Sequence, residues 1–275
     1  MQVYRPLRLR APALATLSAV LILNSGAVRA DKGTVSPSLD RMMTLLSSVR
    51  TIGDVAISPD GKRVAWTTSP APTKSHSTIY VADLNATRQA DTPSVGSGRK
   101  LTPGAASYDE QSIAWASDSS SIAFLSDKGN PGQLQLYVAP AAGGVPRRLT
   151  NLKGFLADPH WSPDGKTIAI LFTENAPRAA GPLQPATIQT GVIESHIYEQ
   201  RLTTVDVLTG RVRQISPADL YIYEYDWSPD SKTFAGIAAH GDGDNNWFIA
   251  ELWTIAAESA EAKSISKPQM QIAVP

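Results

Sequence analysis

The stretch His160-Trp161-Ser162-Pro163-Asp164-Gly165-Lys166, HWSPDGK, decides the fold, because the chain spells it again as DWSPDSK over 226–232 and as ISPDGK over 57–62. Proline presets the backbone angle at the second position of a turn, aspartate bonds its own backbone, and glycine accepts a left-handed conformation. The words therefore describe a tight reversal. Aligning the aspartate of each reversal gives four copies, anchored on Asp60, Asp118, Asp164 and Asp230. Ile57, Trp115, Trp161 and Trp227 stand three residues before the anchors. Val64-Ala65, Ile122-Ala123, Ile168-Ala169 and Phe234-Ala235 stand four and five after. Such β-branched and aromatic flanks favour strands, so each copy is predicted to be a hairpin. Ser119 and Ser231 replace the glycine in two copies, which predicts two turns under more strain.

Two further strand-like runs follow each hairpin. They are TIYVADL (78–84) and RKLT (99–102), LQLYVAP (134–140) and RRLT (147–150), RLTTVDVLTG (201–210) and VRQIS (212–216), and AELWTIAA (250–257) and AKSIS (262–266). A four-strand unit recurring at anchor spacings of 58, 46 and 66 residues is the pattern of an all-β protein, a β-propeller built of four-stranded blades. The tail SKPQMQIAVP (266–275) reads as the lead-in to a fifth blade, so residues 51–275 are expected to form an incomplete ring within a longer protein. Ahead of the blades, residues 31–50 carry Leu39, Met42, Met43, Leu46 and Val49 at helical spacing, with Ser36 as cap and Pro37 in the first turn. A short helix packed on the blades is expected there.

The first thirty residues read as a signal peptide. Arg5, Arg8 and Arg10 precede an apolar run from Ala11 to Leu23, and Val28 and Ala30 suit a cleavage site before Asp31. The run is shorter than the roughly 20 residues of a membrane span, so export to the periplasm or medium of a bacterium is expected, with no integral span after cleavage. There is no cysteine, which excludes disulfides and thiol chemistry. Twenty-five basic residues balance 25 acidic ones, which argues against nucleic acid as a partner. The 19 glycines and 20 prolines favour short elements joined by turns.

The SPDGKRVAW and WSPDGK turns, with the lead-in LDRMMTLLSSVRTIGDVAISPDGK, resemble the N-terminal propeller of the prolyl oligopeptidase family of serine peptidases. Bacterial dipeptidyl peptidases and acylaminoacyl peptidases are the branch they resemble most. The same WD40-like blade grammar occurs in the TolB propeller of the Tol system, a non-enzymatic periplasmic protein that binds a protein partner. The peptidase resemblance implies a Ser-Asp-His triad on an α/β-hydrolase domain that follows the propeller. This chain contains no G-x-S-x-G, so it has no nucleophile elbow and no catalytic residue is assigned. His76, His160, His196 and His240 are read as solvated or structural. No cofactor or metal is expected. Short peptides and the hydrolase domain are the implied partners, and self-association is left open.

The spacing between the third and fourth anchors exceeds that between the second and third by 20 residues. The extra length falls in ENAPRAAGPLQPATIQTGVIESHIYEQ (174–200), on the face opposite the SPDG turns, and long connections of this kind are commonly functional. In dipeptidyl peptidase relatives a Tyr-Glu-Glu-like segment of a propeller insertion holds the free amino terminus of the substrate. Tyr198-Glu199-Gln200 resembles it with one acid replaced by Gln200, and Glu194 is the candidate for the missing charge. The expected amine anchor thus comprises Glu194, Glu199, Gln200 and Arg201, with the plain alternative that Glu199 and Arg201 are solvated charges at a strand start. HGDGDNNW (240–247) offers Asp242, Asp244 and Asn246 like the start of a calcium loop. Trp247 and Trp253 occupy the positions that need glycine and an acid, so it reads as a blade-four loop. NAT at 85–87 reads as a turn.

Overall fold

The computed structural model describes residues 37–48, 50–70, 76–84, 98–104, 107–176, 198–241 and 243–273. Helix α1 (Pro37–Ser48) starts at the proline predicted for its first turn. Its apolar stripe is not buried as expected: Leu39, Met42, Met43 and Leu46 are 49%, 58%, 58% and 55% exposed.

Among the described residues sixteen strands follow. The first blade is β1 (Arg50–Ile57), β2 (Arg63–Pro70), β3 (Thr78–Asp83) and β4 (Arg99–Lys100). The second is β5 (Glu110–Trp115), β6 (Ser121–Ser126), β7 (Gln135–Pro140) and β8 (Arg147–Arg148). The third is β9 (Gly154–Trp161), β10 (Thr167–Glu174), β11 (Gln200–Asp206) and β12 (Val212–Gln214). The fourth is β13 (Leu220–Trp227), β14 (Thr233–His240), β15 (Glu251–Ala256) and β16 (Ala262–Ser266), with a short helix α2 (Gly243–Asn246) between its second and third strands. Each blade is an antiparallel four-stranded meander in chain order. The chain is a β-propeller fold with the strands where the repeat placed them.

Because side chains alternate across a strand, each blade offers one face to each neighbour. Val81, Leu101, Ile122 and Phe124 form the core between blades one and two. Leu125, Leu136, Ile168 and Ile170 form the next, and Leu202, Leu220, Ile222 and Phe234 the third. A polar side chain also ties each junction. Glu110, fully buried, accepts from the Ile79 N–H at 3.0 Å and from the Thr102 hydroxyl. Burial, opposed by those two hydrogen bonds, holds its carboxyl above the ordinary pKa. Gln133 takes that place at the second junction, its amide donating to the Gly154 carbonyl at 2.7 Å while its carbonyl accepts from the Gly154 N–H at 3.1 Å. Gly154 is required there, since at φ 134° a Cβ would lie 2.2 Å from the Thr173 carbonyl oxygen.

The repeated turn is a small polar cage. In blade three the Ser162 hydroxyl donates to Asp164 at 2.7 Å, the Lys166 N–H donates to the same carboxylate at 3.1 Å, and the Thr167 N–H returns to Ser162 Oγ at 3.0 Å. Ser58–Asp60 and Ser228–Asp230 repeat it. The serine hydrogen bond is the main reason that Asp60, Asp164 and Asp230 have lowered pKa values. Ser119 and Ser231 do sit at positive φ, 61° each, as expected of the two glycine-free turns. They gain a compensating contact, for Ser119 Oγ accepts the Asp60 N–H and Ser231 Oγ accepts the Asp164 N–H, both at 3.1 Å. Serine in these copies ties one blade's turn to the next.

The tryptophan three residues before each of the last three anchors has a repeated task too. Trp115 donates its indole N–H to the Ala56 carbonyl at 3.1 Å, Trp161 to Ala114 at 3.1 Å, and Trp227 to His160 at 3.3 Å. Each bond reaches back to the innermost strand of the preceding blade.

Candidate functional site

All four innermost strands break register in mid-course, between Ile52 and Val55, Gln111 and Ala114, Ala157 and His160, and Ile222 and Glu224. A β-bulge re-aims the side chains at the irregularity. Ser112 and Asp158 adopt positive φ there, 59° and 50°, and Pro159 brings no N–H to miss a ladder partner. The bulges point polar groups into a cavity of about 500 Å³ whose wall includes Asp54, Ser112, Trp115, Asp158, His160 and Asp226.

His160 is its centre. Its Nε2 lies 3.3 Å from Asp158 Oδ1 and its Nδ1 lies 3.7 Å from Asp226 Oδ1 on the next blade. The ring lies against Tyr225, 5.0 Å between centroids, and the buried Tyr225 hydroxyl donates to the Asp158 carbonyl. The Asp158 hydrogen bond raises the imidazole pKa, burial opposes it, and the charges of Asp158 and Asp226 add to the rise. Burial drives the Tyr225 phenol well above its ordinary value, so it stays a neutral donor. On the opposite wall Asp54 Oδ2 accepts the Ser112 N–H at 2.7 Å. The arrangement can attract cationic groups and hold a proton between two carboxylates. It contains no nucleophile paired with a base.

Local sequence gives this histidine only a solvated or structural role. The signal lay in the alignment itself: six residues before the anchors stand Asp54, Ser112, Asp158 and Glu224, a polar column inside otherwise apolar strands.

The expected amine anchor lies at the other end of blade three, where β10 ends and β11 begins. Gln200 is buried and donates to the Ile222 carbonyl at 2.8 Å, a tie between blades three and four like that of Gln133 one junction earlier. Arg201 donates through Nε to Ser216 Oγ at 3.0 Å and through its terminal nitrogen to the Ser216 carbonyl. Burial lowers its pKa, and Glu199 is the foremost charge acting against that. Glu199 precedes the strand and is partly buried. Glu194, like the rest of 177–197, lies outside the described residues, as do His196, residues 1–36 with the expected signal peptide 1–30, and the sequon. Within HGDGDNNW, Gly243–Asn246 form α2 and Trp247 begins a 3₁₀ turn, the Asn246 amide donating to the His240 carbonyl at 2.8 Å, while Asp242 lies outside the described residues. Among the described residues no helix is long and apolar enough to cross a membrane.

No family model matches the chain. A curated relative, the uncharacterized peptidase YuxL of Bacillus subtilis, is 27% identical over 125 residues, covering 46% of this chain and 18% of its own length. Among solved structures, a putative TolB from Agrobacterium tumefaciens superposes with a TM-score of 0.53 at 18% identity, over 80% of this chain and 63% of that one. A puromycin-hydrolyzing peptidase of Mycobacterium tuberculosis gives 0.52 at 16%, over 79% and 29%. This chain thus spans less than two thirds of the length of each. In fold it is similar alike to the propeller domains of peptidases and to TolB.

Proposed function

We propose that this chain is the propeller part of an exported serine peptidase of the prolyl oligopeptidase type, with residues 1–30 as its leader. In this reading the blades gate and position short peptides for a hydrolase domain that carries the catalytic serine. The sequence match to a peptidase supports it best, since it rests on 125 aligned residues and not on fold alone. The long connection of blade three supplies the positioning device. Gln200 and Arg201 are committed to Ile222 and Ser216, so Glu199 and Glu194 carry the amine-anchor role. A partly desolvated carboxylate pairs with a peptide ammonium and sets how far the chain end lies from the nucleophile.

The product of the intact gene tests this. Purified, it is expected to label with a fluorophosphonate probe and to cleave aminoacyl or dipeptidyl p-nitroanilides, whereas residues 31–275 alone cleave neither. Glu199→Ala in that enzyme is expected to raise KM for substrates with a free amino terminus and to spare blocked ones. Equal effects on both would remove the anchor. The coverage of the Agrobacterium TolB, twice that of the mycobacterial peptidase, favours a second reading as a non-enzymatic propeller that binds a protein. An intact product inert to the probe, and recovered from cells in a stoichiometric protein complex, would establish it.

A further inference from the structure

An imidazole also crosses the junction of blades one and two, where His76 lies 3.6 Å from Asp109, but only between blades three and four does one stand between innermost strands among the described residues. At the first junction the innermost strands meet through Asp54 and the Ser112 backbone N–H, a contact in which only the carboxylate titrates. At the third, His160 stands between Asp158 of its own strand and Asp226 of blade four. The hydrogen bonds around it run across the same seam, Trp227 to the His160 carbonyl and Tyr225 to the Asp158 carbonyl. We propose that His160 is a proton-operated latch, holding β9 and β13 together when charged and loosening the cavity wall when neutral.

The charge inventory makes the direction definite. Asp158 comes from β9, Asp226 and the Tyr225 ring against the imidazole from β13, and Asp54 from β1 across the cavity. Neither β10, which pairs with β9 through Ala169 opposite His160, nor the β5 residues that line the cavity bring a titratable group to it. No lysine or arginine lines the cavity, so the imidazolium is the one cation among the described groups of this wall. Losing its proton leaves Asp158 and Asp226 as like charges facing each other over a neutral ring, with Asp54 of the same sign opposite. Both carboxylates are partly exposed, 49% and 66%, so water and salt moderate their repulsion. The imidazole pKa is raised in the folded state, so the stabilisation is fully present below the ordinary value of 6.5 and is lost as the pH rises through the folded value. Loosening therefore accompanies a rise in pH, and the cavity gains negative charge in the same step. The inference concerns this wall alone and stands whichever of the two functional readings holds.

Hydrogen exchange of the β9 and β13 amides, followed against pH in the 275-residue chain and corrected for intrinsic rates, tests the latch. Histidine titration by NMR on the same sample assigns His160 by its absence from the His160→Gln spectrum. The expected result is loss of protection in β9 and β13 at the pH where His160 titrates, with β1 and β5 unchanged. His160→Gln, still able to donate to a carboxylate, is expected to lose that pH dependence. Asp226→Asn is expected to lower the His160 pKa and to flatten the transition. The latch is overturned if protection in β9 and β13 is independent of pH while His160 titrates, or if His160→Gln or Asp226→Asn keeps the full transition. Should His160→Gln not fold, the Asp226→Asn comparison decides alone, because it removes one charge and no bulk.

Discussion

Blade three and blade one share a repeat and differ in what surrounds them. Blade three is clasped on both faces: Ile168 and Ile170 enter the core with blade two, while Ala169, Leu171 and Leu202 enter the core with blade four. Blade one has a single covered face, built on Ala65, Ile79 and Val81. On its other side Ile52, Val55 and Ile57 are 53%, 60% and 63% exposed, and Trp66 stacks on Tyr80 within the sheet, 5.9 Å between centroids. One blade's stability is thus mostly borrowed from its neighbours. The other shows what the same sentence of sequence yields with half the contacts, as expected where repeats are stabilised by nearest-neighbour interfaces.

The comparison can be broken most directly at the apolar positions. Leu202→Ala, at a fully buried site, is expected to cost about 2–5 kcal/mol, while Ile57→Ala is expected to stay within about 0.5 kcal/mol. Urea denaturation of the two variants checks it, and equal losses would refute the asymmetry. Next in size is the indole. Trp161→Phe keeps the ring and deletes the hydrogen bond to Ala114, and is expected to cost about 1 kcal/mol by the same measurement. Trp66→Phe in blade one, whose aromatic partner is its own sheet, is expected to cost less.

How much of this was legible can be judged residue by residue. The anchors Asp60, Asp118, Asp164 and Asp230 fixed every hairpin, because turn chemistry is local and proline, aspartate and glycine each act on neighbouring backbone. The third and fourth strands were legible from alternation. The bulges were not, since inserting one or two residues into a strand leaves its composition unchanged and shows only in the pairing. His160 was missed for a related reason: one of its carboxylates is two residues away, but the other, Asp226, belongs to the next copy of the repeat. Gln200 was read as a substitute for an acid, yet its amide is spent on the Ile222 carbonyl, a contact that no local pattern announces. The apolar stripe of α1 suggested burial, and periodicity alone names a face without naming what covers it.

Two smaller tests sharpen the comparison at the junction of blades one and two. Glu110→Gln can satisfy both partners, accepting from the Ile79 N–H and donating to Thr102, without a charge to bury. The native carboxyl has a raised pKa, so the contribution of Glu110 to stability is fully present below the ordinary 4.5 and is lost as the pH rises through the folded value. The glutamine variant is expected to lack that decline and to gain on the native chain across that window in parallel thermal melts. The smallest expected effect is Ser119→Gly, in which relief at φ 61° offsets loss of the bond from the Asp60 N–H. A net change within about 0.5 kcal/mol is expected. Ser119→Ala, which keeps the unfavourable backbone and loses the acceptor, is expected to cost about 1 kcal/mol. Identical denaturation midpoints for the glycine and alanine variants would show that the serine hydroxyl ties nothing.

The indole bonds all point the same way along the chain. Trp115 serves Ala56, Trp161 serves Ala114 and Trp227 serves His160, so every donor lies in a later blade than its acceptor. A ribosome or a translocation channel releases the acceptor first and the donor 59, 47 or 67 residues later, and each emerging tryptophan finds a carbonyl already in place. The fold carries an arrow of assembly that coincides with the direction of synthesis, and a circularly permuted chain that reversed the order of one such pair would have to mature against it.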